Sequence, residues 1–340
     1  MTRHRANEDG TVTPWMVDYY RQRGESAALV MTESCFINQK FNSNVGGAGM
    51  QTETHAKSWR AVIEEVHKVG AFIGAQVCHP GRALHPELGQ PLGPSPIKAQ
   101  GTAKVNGNLL EFAVPKELTE KEILSIISEF ENSARVAKIA GFDLFELHGA
   151  YGQLCDQFLR DCSNQRKDAW GGSFENRCKF VLEVIDRVSK YFPYDRIGIK
   201  LSLVTRYQGM KDVDPIGLTN YLLSELNKRN VLFVHMVEAE SRAVVPQDNG
   251  KDQIENVCLT FRDKFKNLFI TNGSESVEER INIVENGQAD MASFGASFVA
   301  NPDLLERIKF AYPLSTFKPE DLYTPGPQGY CDFPKFDPSA

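Results

Sequence analysis

Residues 141–161 read "GFDLFELHGAYGQLCDQFLRD". The largely apolar run Phe142–Leu147 ends abruptly in His148, and small residues, Tyr151 and Gln153 follow. A short, nearly continuous apolar run is the pattern of a strand buried on both faces, as in a parallel sheet. Six other stretches are strand candidates, most of them continuous apolar runs of the same kind: 27–34, 71–77, 196–202, 231–237, 267–271 and 290–295.

Helical patterns lie between these runs. Thr119 and Glu122 form a capping box, Ile123, Ile126, Ile127, Phe130, Ala134 and Ala137 recur at helical spacing, and Gly141 supplies a stop. A second helix opens at Ser173 and carries Phe180, Val181, Val184, Ile185 and Val188 on one face. Fainter patterns cover 55–68, 215–229, 276–286 and 302–311. Strands alternating with helices mean parallel β, either wound open or closed into a (β/α)8 TIM barrel, and 340 residues suit one such barrel. Seven strands are visible where a barrel wants eight, and none precedes Trp15. The reading is therefore a single barrel domain over 1–340 whose first strand is missing or incomplete, its place lying upstream of Met1. Residues 79–117 form a long loop insertion rich in Gly and Pro, the kind that serves as a lid or binding loop, and 313–340 form a tail.

Net charge is −6, with no basic stripe, so a nucleic-acid partner is not suggested. No apolar stretch approaches the ~20 residues of a membrane span. The seven cysteines are dispersed with no CxxC pair, which argues against a disulfide framework or structural zinc and for a reducing, cytoplasmic setting. The partner expected is a small-molecule substrate, for a monomer or homo-oligomer.

In a parallel barrel, chemistry sits where strands end. Those positions hold Ser34, Gln76, His148, Lys200 and Asn272-Gly273-Ser274. Each could simply meet water, but each also has a job. An amide suits the mixed donor/acceptor edge of a heteroaromatic ring. A lysine favours an anionic ring or oxyanion, and a histidine donates to a carbonyl or phenolate. "TNGS" (271–274) and "FGAS" (294–297) expose backbone N–H groups where barrels bind phosphate.

Together with "MTRHRA" (1–6), "YYRQRG" (19–24), "MTESCF" (31–36), "QVCHPGR" (76–82), the specific segment 141–177, "RIGIKLS" (196–202), "ANPDL" (300–304) and "GYCDFP" (329–334), these residues fall in one family's order. The chain resembles the old yellow enzyme family, flavin-dependent ene reductases and NADPH dehydrogenases built on an FMN-binding barrel. The resemblance implies FMN as cofactor and NAD(P)H as reductant. It places Thr2, Ser34, Gln76 and Lys200 around the flavin, and Gly273, Ser274, Gly295 and Ala296 at its phosphate. It sets Tyr323 over the substrate, and His148 as the first of a pair gripping the substrate's electron-withdrawing oxygen, which polarises the alkene for hydride attack.

Four positions depart from the family pattern. The second of the gripping pair, usually His or Asn, is Tyr151, which shares the grip, supplies a proton or fills the pocket. The tyrosine that protonates the substrate is replaced by Gln153, and an amide is no general acid near neutral pH. The phosphate-loop arginine is replaced by Ala296, a loss of roughly 1.5–3 kcal/mol of charge-assisted bonding. Cys78 stands where many members carry tryptophan or another large residue. The expected function is hydride transfer from NAD(P)H to an activated alkene or quinone-like acceptor. The alternative is a degenerate barrel with weak or no FMN binding that acts as a structural or binding protein.

Overall fold

A computed structural model of the chain describes residues 1–105, 108–238, 254, 256–273 and 276–339. Its central sheet is parallel throughout. The strands are β1 (Leu29–Met31), β2 (Cys35–Phe36), β3 (Phe72–Cys78), β4 (Leu144–Gly149), β5 (Ile197–Leu201), β6 (Phe233–Val237), β7 (Leu268–Asn272) and β8 (Met291–Ala292). The order is β1-β3-β4-β5-β6-β7-β8, with β2 also pairing to β3. The run 27–34 thus holds only the short β1, and β2 follows just beyond its end. Between the two, the Gln76 amide N–H donates to the Thr32 hydroxyl at 2.9 Å instead of to a backbone carbonyl. Seven barrel positions result, as the sequence suggests.

The sheet curls but does not close, since β1 and β8 do not pair with each other among the described residues. At the mouth the first residues of the chain bridge this gap. The Ser34 amide approaches Thr2 Oγ1 at 3.4 Å, and a Cβ built on Gly295 would lie 3.7 Å from the Met1 Cβ.

Helices cover the outer face. They include α1 (Pro14–Gly24), α2 (Glu53–Lys68), α3 (Glu120–Ala140), α4 (Leu154–Leu159), α5 (Phe174–Val188), α6 (Pro215–Arg229) and α7 (Val277–Glu285). The α3 box forms as its sequence requires: the Thr119 hydroxyl accepts from the Glu122 amide, and Gly141 ends the helix in the left-handed region at φ 103°. Ser173 caps α5. The α2 pattern carries a box that is harder to see, because its partner residue is His55 rather than an acid or amide. Buried faces of α2, α3 and α5 pack on the sheet's outside, with Trp59, Phe130 and Phe180 fully enclosed.

Register determines which side chains share the barrel interior. Gln76 lies opposite Glu146, His148 opposite Lys200, and Lys200 opposite His235. Beneath them Leu144, Phe233 and Ile270 form an apolar floor. Gly198 belongs to that floor: a Cβ there would fall 2.1 Å from the Phe233 ring, so the bare glycine lets the ring cross the barrel. The polar layer therefore rests on a dry base and faces the strands' C-terminal ends. The loop 79–117 adds a small antiparallel pair, Thr102–Val105 with Asn108–Glu111, on the same side of the sequence as the β3 exit.

The tail is clamped to the start of the chain. The Arg3 Nε donates to Leu322 O at 3.0 Å, the Arg5 Nε to Gly326 O at 2.9 Å, and Tyr19 stacks on Tyr330 at 4.1 Å. No described helix is long and apolar enough to cross a membrane, and all seven cysteines are free thiols.

Candidate functional site

A row of hydrogen bonds, buried at its Glu146 end and part-buried toward Tyr151, runs under the barrel mouth. Gln76 Nε2 donates to the Glu146 carboxylate. On the other carboxylate oxygen, His235 Nδ1 lies at 2.8 Å, and His235 Nε2 lies 2.8 Å from Ser293 Oγ. Asn272 Nδ2 donates to the same Oγ at 2.8 Å, and Asn272 Oδ1 accepts from the Tyr151 hydroxyl at 3.2 Å. Burial alone would raise the Glu146 carboxyl. His235, Lys200 and Gln76 outweigh it and hold it below its usual range. Burial, with Lys200 repulsion added, lowers His235, so the neutral ring donates through Nδ1 and accepts through Nε2.

His148 stands above this row. Burial first, and Lys200 repulsion second, lower its pKa to about 3, so it is neutral at pH 7. Its Nδ1 accepts the Ala150 amide hydrogen at 3.3 Å, which leaves the ring hydrogen on Nε2. Nε2 has no protein partner among the described residues, so this donor is available to a ligand oxygen.

Tyr151 follows in the left-handed region at φ 52°, a costly conformation for a bulky residue. Its amide donates to Ser202 Oγ at 2.7 Å, and Gly152 (φ 70°) donates to Asp156 Oδ2 at 2.9 Å. This turn sets the phenol over Lys200, whose Nζ lies 5.3 Å from the ring centroid, and edge-on to Tyr207. Of the three roles left open for Tyr151, the geometry favours pocket wall and hydrogen-bond anchor, because its proton is directed at Asn272. Gln153 is the N-cap residue of α4, with no side-chain cap bond, and is partly buried.

Lys200 forms no hydrogen bond or ion pair among the described residues. Burial lowers its pKa, Glu146 opposes that shift and Arg280 reinforces it. Thr2 and Ser34 sit at the gap between the outer strands, as described above. Gly273, with φ 130°, opens the loop after β7, Gly295 lies in the loop after β8, and Ala296 precedes a short helix, Ser297–Ala300. Ser274 lies outside the described residues. Tyr323 stands at the rim, 44% exposed, with its ring 5.1 Å from that of His4. Cys78 closes β3, and burial raises its thiol to about 11, so it is no nucleophile.

This donor set fits FMN. A partly enclosed ammonium with no ion pair among the described residues, only the longer-range field of Glu146, suits an anionic ring, and an amide held by a carboxylate suits a heteroaromatic edge. The glycine at 295 leaves backbone open, with one atom within 4 Å of its Cβ position. Glu146, His235, Ser293 and Arg280 are members of the site that strand-end reading passes over. Glu146 and His235 were visible as charged or ionisable residues inside apolar runs.

Comparison with known proteins agrees. The model of the NADH:flavin oxidoreductase / NADH oxidase family matches residues 1–314. The chain is 36% identical to 12-oxophytodienoate reductase 1 of Oryza sativa subsp. japonica, over 94% of this chain and 84% of that protein. It is 34% identical to 12-oxophytodienoate reductase 2 of Arabidopsis thaliana, over 96% and 88%. The solved structure of the old yellow enzyme homologue from Zymomonas mobilis superposes with a TM-score of 0.92 at 31% identity, covering 99% of this chain and 94% of that one. The chain belongs to the NADH:flavin oxidoreductase / NADH oxidase family, the old yellow enzymes, and is an FMN-dependent oxidoreductase supplied by NAD(P)H.

Proposed function

We propose that this oxidoreductase reduces a strongly electrophilic acceptor, an activated enone or a quinone-like compound, held by His148. FMN, when bound, relays hydride from NAD(P)H to the acceptor. The protein's part is to bind, orient and polarise. Lys200 supports negative charge on the ring, and Gln76, its amide fixed by Glu146, addresses the ring edge. Thr2 and Ser34 line the opposite side, and the Gly273 and Gly295 loops address the phosphate. His148 donates its Nε2 hydrogen to the acceptor oxygen, where charge develops as hydride arrives.

Quinones suit the site because they demand less of a proton donor. Gln153 cannot protonate carbon, and the Tyr151 hydrogen is committed to Asn272. The observation that carries the reading is the neutral His148, its Nδ1 tied to the Ala150 amide and its Nε2 hydrogen without a partner among the described residues. Tyr323, at the rim against His4, covers the substrate.

Stopped-flow absorbance of the FMN-loaded protein tests this. NAD(P)H should bleach the flavin, and a quinone should restore its colour faster than a simple enone does. Retained colour under NAD(P)H, or equal reoxidation of wild type and His148→Ala by both acceptors, would overturn the reading.

A further inference from the structure

We propose that Arg280 supplies the cation for the FMN phosphate, doing from α7 what the family's arginine does from the position of Ala296. The proposal rests on the flavin reading above. Ser276 and Glu279 box the start of α7, which places Arg280 in its first turn facing the strand ends. Its Nε donates to Gly273 O at 2.6 Å and its Nη1 to Ser293 O at 2.9 Å. Its guanidinium also lies 5.2 Å from the Phe294 ring centroid. One side chain thereby spans the loops after β7 and β8, the two loops that hold Gly273 and Gly295.

The carbonyl bonds fix the guanidinium plane without neutralising its charge. A planar fork of that kind matches phosphate geometry better than an ammonium does. Among the described residues the charges acting on Arg280 include Glu279 on its own helix, the Tyr151 phenol and the repelling Lys200 across the mouth. Two cations thus share one rim, Lys200 toward the ring site and Arg280 toward the phosphate loops. Ala296 contributes no charge there, and Gly295 leaves the approach open. The bland alternative is that Arg280 only staples β7 to β8 at the open side of the sheet.

Riboflavin, which lacks the phosphate, separates the two. Flavin-fluorescence quenching on the flavin-stripped full chain gives Kd for FMN and riboflavin in wild type, Arg280→Met and Arg280→Lys. Arg280→Met should weaken FMN about 10- to 150-fold, the value of one charge-assisted contact, and leave riboflavin within about twofold, with Arg280→Lys between. Equal weakening of both flavins, or unchanged FMN affinity, overturns the proposal in favour of the staple. If Arg280→Met fails to fold by circular dichroism, Arg280→Gln, which keeps donors without charge, is read the same way. Wild type binding FMN no more tightly than riboflavin sinks the Arg280 role alone, whereas wild type binding neither flavin overturns the FMN reading and this proposal with it.

Discussion

The Tyr151 phenol donates its hydrogen to Asn272 Oδ1 at 3.2 Å, and this bond is the outer end of a row of donors directed toward Glu146. Asn272 passes a hydrogen to Ser293, Ser293 to His235, and His235 to the carboxylate, which Gln76 meets from the other side. An ionised carboxylate at one end imposes a direction on every rotor between it and the mouth. Tyr151 is therefore oriented by a carboxylate on the strand it follows, through side chains of β6, β7 and the end of β8.

The cost of breaking the row should grade along its length. Tyr151→Phe removes a neutral, part-buried bond and should lower stability by about 0.5–1.5 kcal/mol. His235→Ala strips a bond from a buried charge and should cost about 1.5–3 kcal/mol before any cavity. Urea midpoints at unchanged m-value measure both. Equal costs would mean that the carboxylate does not organise the row.

His148 carries the substrate-binding reading, so phenolic ligands should lose affinity without it. His148→Ala should raise the Kd of a para-substituted phenol about 5- to 30-fold, one hydrogen bond to a polarised oxygen. Calorimetric titration of the FMN-loaded proteins is the measurement, and an unchanged Kd removes His148 from the role.

What could be read in advance follows from where burial leaves a trace in sequence. Strands covered on both faces become apolar runs, so seven of them, and the polar residues that end them, stood out. The α3 capping box and Gly141 stop were equally plain, because cap chemistry is local. The split between β1 and β2 was not, since a threonine hydroxyl replaces a carbonyl there without changing the pattern. Arg280 was invisible for a related reason. It sits in a polar helix turn like any solvated arginine, and only the fold brings it to Gly273 and Ser293. The open side of the sheet, by contrast, followed from counting strands.

Enclosed neutral histidines, one fully buried and two partly so, should make the protein acid-labile. His148 and His79 titrate at about 3 and His4 at about 4, each lowered first by burial. The unfolded chain takes up these protons near pH 6.5 and the folded chain resists, so stability falls as pH drops from about 6.5 toward 3. Glu33, raised by burial to about 7, works the other way, since its contribution is lost as pH climbs through 7. The three histidines outnumber it, and the melting temperature should fall between pH 7 and pH 5. In His79→Asn that fall should shrink, because an amide can still accept the Gly81 N–H, bonded to His79 Nδ1 at 2.9 Å, yet does not titrate. A slope identical to wild type would exclude His79 as a contributor.

On the proposed reading, Gln153 is the position whose amide leaves carbon protonation without a positioned acid. Gln153→Tyr should raise kcat/KM for a simple enone about 10- to 100-fold, at or below the low end of general-acid contributions. Reoxidation by a quinone should stay within about twofold, since that acceptor is protonated on oxygen and needs no positioned acid. Parallel gains on both acceptors would point to altered packing at the start of α4 instead.

Ala296 and Arg280 test each other. If Arg280 already serves the phosphate, Ala296→Arg places a second guanidinium beside the first, and mutual repulsion offsets part of its gain. In wild type the tightening of FMN should then stay below about tenfold. In the Arg280→Met background the repulsion is gone and the site lacks its cation. There the same substitution should recover about 10- to 150-fold, the full value of a charge-assisted contact. The two substitutions are then strongly non-additive, as groups sharing one partner are. Riboflavin affinity should show no such coupling, because the shared partner is the phosphate. Equal gains from Ala296→Arg in both backgrounds would mean that Arg280 and residue 296 address different groups, and the phosphate would have to be held by backbone N–H donors alone.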